Sequence, residues 1–164
     1  MADSKHIREA RFGDVASIYE VIRENPEEVL PRPYQDIFTH FDRFLVYDDG
    51  GVKGVISWQV LPLIDPERPD RCLEVISFSV RKQDHKKGIG AQLLTAMIEK
   101  LKKMSPDRVI VLTFYPEFFK KFGFRETSKE NLYQKIYVGC LHCTKYTSPL
   151  TCPEKAMEYL VNGS

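Results

Sequence analysis

The sequence predicts a mixed α/β domain, and three stretches carry that prediction. RFLVYDDGGVKGVISWQV reads as a β-hairpin, Phe44 to Asp48 and Val52 to Val60 around a turn at Asp49-Gly50-Gly51. LEVISFSV, Leu73 to Val80, has few charges and reads as a strand inside its sheet. From Gly88 to Met104, Leu93, Leu94, Met97, Ile98 and Leu101 recur at helical spacing with polar residues opposite. Hairpin, central strand and amphipathic helix together point to layers of helix on sheet.

The other elements follow in order. Lys5 to Ala10 is short and extended, and Gly13-Asp14 caps a helix from Val15 to Arg23 that Asn25-Pro26 ends. Pro31 and Pro33 keep Leu30 to Tyr34 irregular before a short helix, Tyr34 to His40. LPLIDPERPD is a loop. Ser105-Pro106-Asp107 stops the long helix, and RVIVLTF, Arg108 to Phe114, is a buried-type strand. Pro116 opens a short helix through Phe122, Gly123 closes it, and Phe124 to Thr127 is extended. Beyond Lys129 the pattern weakens, and it ends in a helical stretch near Pro153 to Val161. With no repeat, low-complexity tract or linker, residues 1–164 read as one domain. Its core spans about 5–128, and a cysteine-containing appendage spans about 129–164.

Composition narrows the function. Lys and Arg number 24 against 23 Asp and Glu, a formal charge of +1. That balance gives no support to a general nucleic-acid or membrane-surface role. MADSKHIREARFGDV lacks a signal peptide's apolar core, and no apolar run approaches membrane-spanning length. A soluble, cytoplasmic, monomeric or dimeric protein acting on a small molecule is the expectation. Cys72, Cys140, Cys143 and Cys152 then read as reduced thiols or a metal site rather than a disulfide framework.

The stretch VRKQDHKKGIGAQLL puts two lysines and two glycines at a helix start. A helix N-terminus leaves backbone N–H groups unpaired and carries the positive end of the macrodipole. Glycines let a bulky anion come close, and Lys86 and Lys87 add charge, so a phosphate or pyrophosphate is the natural ligand. The spacing is neither GxGxxG nor GxxxxGK[ST]. A helix entry that merely tolerates Gly88 and Gly90 is the alternative.

Strand LEVISFSV, loop HKKGIGA and the following helix resemble the acetyl-CoA motif of the GNAT N-acyltransferases. The family loop of Arg or Gln, two residues, Gly, one residue, Gly or Ala falls on His85, Lys86, Lys87, Gly88, Ile89 and Gly90. His85 departs from it. FFKKFGF matches the family's aromatic-x-x-x-Gly-Phe signature, and IREARFGDVASIYEV resembles its usual opening. VLPRPYQDI, VIVLTFYPEFFKKFGF and NLYQKIYVGCLHC are similar to the short, stand-alone N-acetylglutamate synthase group.

The resemblance implies a GNAT fold with a mixed, mostly antiparallel central sheet flanked by helices. It implies acetyl-CoA as co-substrate, held by the amides from Lys86 to Ala91. Pantetheine would lie where Leu73 to Val80 splays from the next strand, meeting the backbone of Phe78 and Val80. The acceptor would be an amine, with the α-amine of glutamate first, attacked onto acetyl-CoA directly in a ternary complex. Arg32 matches the position that grips a substrate carboxylate, as an arginine fork can; the alternative is a surface loop cation. The synthase group has an arginine where this chain has Ile76, which keeps another amine or a protein N-terminus as the alternative acceptor.

Acetyl transfer also needs a deprotonated amine and a proton for the leaving thiolate. Many GNAT enzymes place a tyrosine four residues before the Gly of Gly-Phe; here that residue is Phe119, which cannot donate. Glu74 on the central strand is the candidate base, next to apolar neighbours able to raise its pKa; otherwise it is a strand-end carboxylate facing solvent. A protein that binds coenzyme A or a metal without turnover is the non-enzyme alternative. Cys140, Cys143 and Cys152, with His142, offer a zinc or iron–sulfur ligand set, a redox pair, or idle thiols. Tyr34, Phe38, Phe41 and Trp58 line an acceptor pocket or pack in the core.

Overall fold

A computed structural model of the chain describes residues 4–132, 134 and 153–161. They belong to two compact units, Met1–Gln59 with Val75–Lys103, and Val60–Glu74 with Met104–Ser164. No helix among the described residues is long and apolar enough to cross a membrane.

The first unit holds β1 (Ile7–Glu9), α1 (Val15–Arg23), α2 (Tyr34–Thr39), β2 (Leu45–Asp48), nearly all of β3 (Val52–Val60), most of β4 (Cys72–Val80), and α3 (Ile89–Lys102). The hairpin forms as expected, with Leu45 opposite Ile56 and Val46 opposite Val55, and a register shift at Tyr47/Asp48. Ile18, Val21 and Ile22 of α1 pack with Ile37, Phe44, Val46 and Val55 in one buried cluster. Helix α3 buries Leu93, Leu94, Met97, Ile98 and Leu101, the predicted stripe. It lies close over β3: a methyl group on Gly54 would stand 2.8 Å from Leu93 Cδ1 and 2.9 Å from Ile89 Cγ2.

Asp14 precedes α1 as expected but does not cap it with its side chain. Its carboxylate accepts instead from the Arg11 N–H at 2.7 Å and from the Arg8 guanidinium at 2.7 and 2.9 Å. Arg8 also reaches Asp48, so a stronger, charged partner takes the oxygen that a cap would use. The Arg8 charge holds the Asp14 carboxyl below the usual carboxylate range.

The second unit holds the first three residues of β4, then β5 (Arg108–Thr113), α4 (Pro116–Lys120), β6 (Arg125–Thr127) and β7 (Lys155–Leu160). Pro116 opens α4 as expected, and Gly123, at φ +92°, lets the Phe124 N–H reach back to the Phe119 carbonyl. Pro153 to Val161 is not helical. Lys155–Leu160 is a strand between β5 and β6, antiparallel to both. Ala156, Met157 and Glu158 are consecutive and all buried. With both faces covered, the two-residue alternation that marks a strand is absent from KAMEYL, so pairing with β5 decides its form.

In the first unit the strand order is β1-β2-β3-β4, and in the second, from the start of β4, it is β4-β5-β7-β6. The parallel ladder of β4 with β5 matches Cys72–Glu74 with Arg108–Ile110.

Candidate active site

In the first unit the site is built from the end of β4 and the turn into α3. β4 is not regular: Ser77 sits at φ +51°, a left-handed conformation rarely taken by a residue with a side chain. Such a kink inside a strand re-aims its backbone groups, and nothing in LEVISFSV announces it. The Ser77 hydroxyl accepts from Arg32 Nη1 at 3.1 Å. Arg32 Nε pairs with Asp36, and the guanidinium lies 5.1 Å from the Phe44 ring centroid. Arg32 is therefore largely enclosed, with its side chain 13% exposed, and is not a loose surface cation.

The chain then passes through a short 3-10 turn, Lys82–Asp84, and an exposed loop. Lys86 and Gly88 both have positive φ, +65° and +81°. Gly88 stands at the N-cap of α3 and offers no side chain, so the first N–H groups of the helix are left uncapped. A methyl group on Gly88 would meet nothing within 4 Å. Open space, uncapped donors and the exposed Lys86 beside them suit a phosphate-bearing ligand. Lys87 binds the buried Asp84 at 2.9 Å and holds that carboxyl below the usual range.

His85 is turned back. Its Nε2 lies 2.8 Å from the Val80 carbonyl, and since a carbonyl only accepts, Nε2 carries the proton. Asn25 Nδ2 donates to the same carbonyl at 2.9 Å. The side chain of His85 thus closes the base of the loop, and its own N–H is given to the Lys82 carbonyl at 3.3 Å. Phe78 and Val80 are half-buried.

In the second unit Glu74 is buried at 1% exposure, so the solvent-facing alternative does not hold. It stands in register with Ile110, which is opposite Glu158 on β7. Beside that row, Arg108 donates to Asp70 at 2.7 Å, to the Asn131 carbonyl at 2.6 Å, and to Glu158 at 3.4 Å. Arg125 reaches Glu158 as well. Cys72 pairs in register with Arg108, and burial pushes its thiol up to about 12.

The Acetyltransferase (GNAT) family model matches residues 15–124. The chain belongs to the GNAT family. An uncharacterised N-acetyltransferase of Chlorobaculum tepidum is 31% identical over 92% of this chain and 93% of its own length. Among solved structures, a Mycobacterium tuberculosis protein in complex with CoA and a second ligand superposes with TM-score 0.76. It is 21% identical, over 94% of this chain and 98% of that one. The N-acetylglutamate synthase of Neisseria gonorrhoeae, complexed with coenzyme A and N-acetyl-glutamate, gives 0.72 at 22% identity. The match covers 94% of this chain and 34% of that one. At these identities the two structures show the fold.

In this GNAT N-acetyltransferase, Phe119 stands at the position where the sequence resemblance expects a tyrosine. Phe119 is buried among the rings of Phe118 and Phe124, at 5.3 and 5.4 Å. Tyr115 is exposed. Of the aromatic residues considered for an acceptor pocket, Tyr34 and Phe38 are exposed and Phe41 packs against the α1 cluster. Trp58 lies under Arg43, 4.3 Å from ring centroid to guanidinium. Cys140, His142, Cys143 and Cys152, with the zinc or iron–sulfur reading they carry, lie outside the described residues. Among those described, no three His, Cys, Asp or Glu side chains form a metal-holding group. Ser77, Asn25 and Asp84 were not foreseen; only Asn25-Pro26, read as a helix stop, carried any sequence signal.

Proposed function

We propose that this GNAT enzyme transfers acetyl from acetyl-CoA to the amine of a small carboxylate-bearing molecule, with the α-amine of glutamate the leading acceptor. The observation that carries the reading is Arg32, enclosed between Asp36, Phe44 and the Ser77 hydroxyl at the kink of β4. With Nε given to Asp36 and Nη1 to Ser77, its Nη2 edge is left to receive a carboxylate among the described residues. The uncapped amides from Lys86 to Ala91 hold the pyrophosphate, with Lys86 and Lys87 as nearby charge, His85, Gly88 and Gly90 shaping the loop, and the backbone of Phe78 and Val80 meeting pantetheine.

In the transfer, the amine nitrogen attacks the acetyl carbonyl in a ternary complex, the C–S bond breaks, and coenzyme A leaves as thiolate. Glu74 takes the amine proton through water, its carboxylate held out of bulk solvent on β4. Phe119 has no proton to give, so the thiolate is protonated from water. The second reading is an amine lacking the extra carboxylate, favoured by Asp36, which already occupies part of Arg32, and by Ile76.

The deciding experiment is thiol release from acetyl-CoA against free amino acids, polyamines and short peptides. Release with glutamate and a raised glutamate KM in Arg32→Ala establish the first reading; release with polyamines or peptides alone replaces the acceptor. Glu74→Gln is expected to lower kcat about a hundredfold, the ordinary weight of a general base. Unchanged turnover across pH removes Glu74 from that role.

A further inference from the structure

The loop after β4 is held in a conformation it would not choose. Lys86 is left-handed without being glycine, and Gly88 follows with φ positive again. Such backbone persists only where the surroundings over-determine it. The strand end and turn that lead into this loop are held by two consecutive residues just past α1, more than fifty positions away in sequence.

Glu24 accepts the Lys82 N–H through Oε2 at 3.0 Å and pairs with Arg81 Nη1 through Oε1 at 2.9 Å. Arg81 in turn donates from Nε to the Val52 carbonyl at 2.8 Å, and its N–H to the Lys53 carbonyl at 2.8 Å. Asn25, fully buried, donates from Nδ2 to the Val80 carbonyl and to Ser79 Oγ, which itself donates to the Val21 carbonyl at 3.1 Å. Val80, Arg81 and Lys82, the three residues that aim the loop, are thus all fixed from the end of α1. His85 then fastens the far side of the loop to the same Val80 carbonyl.

We propose that Glu24 and Asn25 are positioning residues for the co-substrate, which by fixing Val80, Arg81 and Lys82 keep the loop amides aimed at the pyrophosphate. The inference rests on the reading that this loop binds acetyl-CoA. Both side chains are spent on protein groups at the base of the loop. They act by preorganisation, so their loss weakens binding of ground state and transition state alike.

The test separates the two readings. Glu24→Ala is the main variant, because the Glu24 side chain is one-third exposed and lies outside the apolar core. KM for acetyl-CoA is expected to rise about five- to tenfold, with kcat within about twofold and an unchanged melting temperature. Glu24→Gln keeps an oxygen for the Lys82 N–H and is expected to recover much of that loss. Glu9→Ala, which removes an exposed ion pair to Lys100 on α3, is the control and should leave KM unchanged. A Glu24→Ala KM equal to wild type, or a Glu9→Ala rise of the same size, overturns the inference while the loop reading stands. Lys86→Glu tests the loop itself: no change in KM there removes both.

Discussion

The turn from β4 into α3 and the β5–β7 face of the second unit treat polar groups in opposite ways. Along the turn, backbone donors stay uncapped, two residues carry positive φ, and two lysines are exposed. On the β5–β7 face, a nearly buried arginine meets two carboxylates, an amide and a backbone carbonyl. Open donors suit a ligand that comes and goes; a closed charge set suits permanence. The difference separates groups whose loss should change binding from groups whose loss should change stability.

Arg108 is where that contrast should break with the largest effect. Burial works against its charge, but the Asp70 bond and the neighbouring charges outweigh it and hold the guanidinium more firmly protonated. Arg108→Leu strands the Asp70 and Glu158 carboxylates in a face where Glu158 is 9% exposed. The expected loss is about 3–5 kcal/mol of unfolding free energy by urea titration. A loss below about 1 kcal/mol would mean that Arg125 alone satisfies Glu158, and that the closed set is looser than its distances state.

Two glycines sharpen the comparison inside the first unit. Gly54→Ala places a methyl against Leu93 and Ile89, neither able to retreat from a packed helix, and should cost about 1–3 kcal/mol in stability. Gly88→Ala meets no atom within 4 Å but keeps a φ of +81°, so its cost, about 1–2 kcal/mol, is backbone alone. Because Gly88 belongs to the loop, the chain can relieve that strain by turning its amides away. Gly88→Ala should therefore show mostly as weaker CoA binding by calorimetry, and Gly54→Ala mostly as a lower melting temperature. The reverse pattern would move the ligand contacts off the loop.

Much of this was legible in the sequence where local signals are strong. The Asp-Gly-Gly hairpin, the Leu93-to-Leu101 stripe and the Pro116 start of α4 all form near their expected bounds, since turn chemistry and helical period act over a few residues. The mixed sheet with flanking helices also stands. KAMEYL was misread because its partners lie far away in sequence and its two buried faces erase the alternation. The site shows the same limit. Gly88 announced the loop, but Glu24 and Asn25, which hold it, looked like an ordinary helix end. Ser77 gave no sign of a kink, because a serine at positive φ is imposed by packing rather than preferred. Glu74 could be placed on its strand, while its burial depended on neighbours that only the fold supplies.

Cys72 gives the smallest expected effect and the finest test of the closed face. Burial pushes its thiol up to about 12, with the nearby Arg108 opposing and carboxylates such as Asp70 and Glu74 reinforcing the shift. The folded chain then keeps this proton where the unfolded chain, with an ordinary thiol near 8.5, begins to lose it. Its contribution to stability is whole below about pH 8.5 and is lost as the pH rises toward about 12. At pH 9 the loss should stay under about 1 kcal/mol and vanish in Cys72→Ala. Site-resolved alkylation at pH 8 supplies the direct readout: Cys72 should stay unlabelled in the native protein and react on adding urea. Native labelling at the unfolded rate would show that the face opens to solvent, and that Arg108 and Glu158 are exchanging their bonds for water more often than a closed charge set allows.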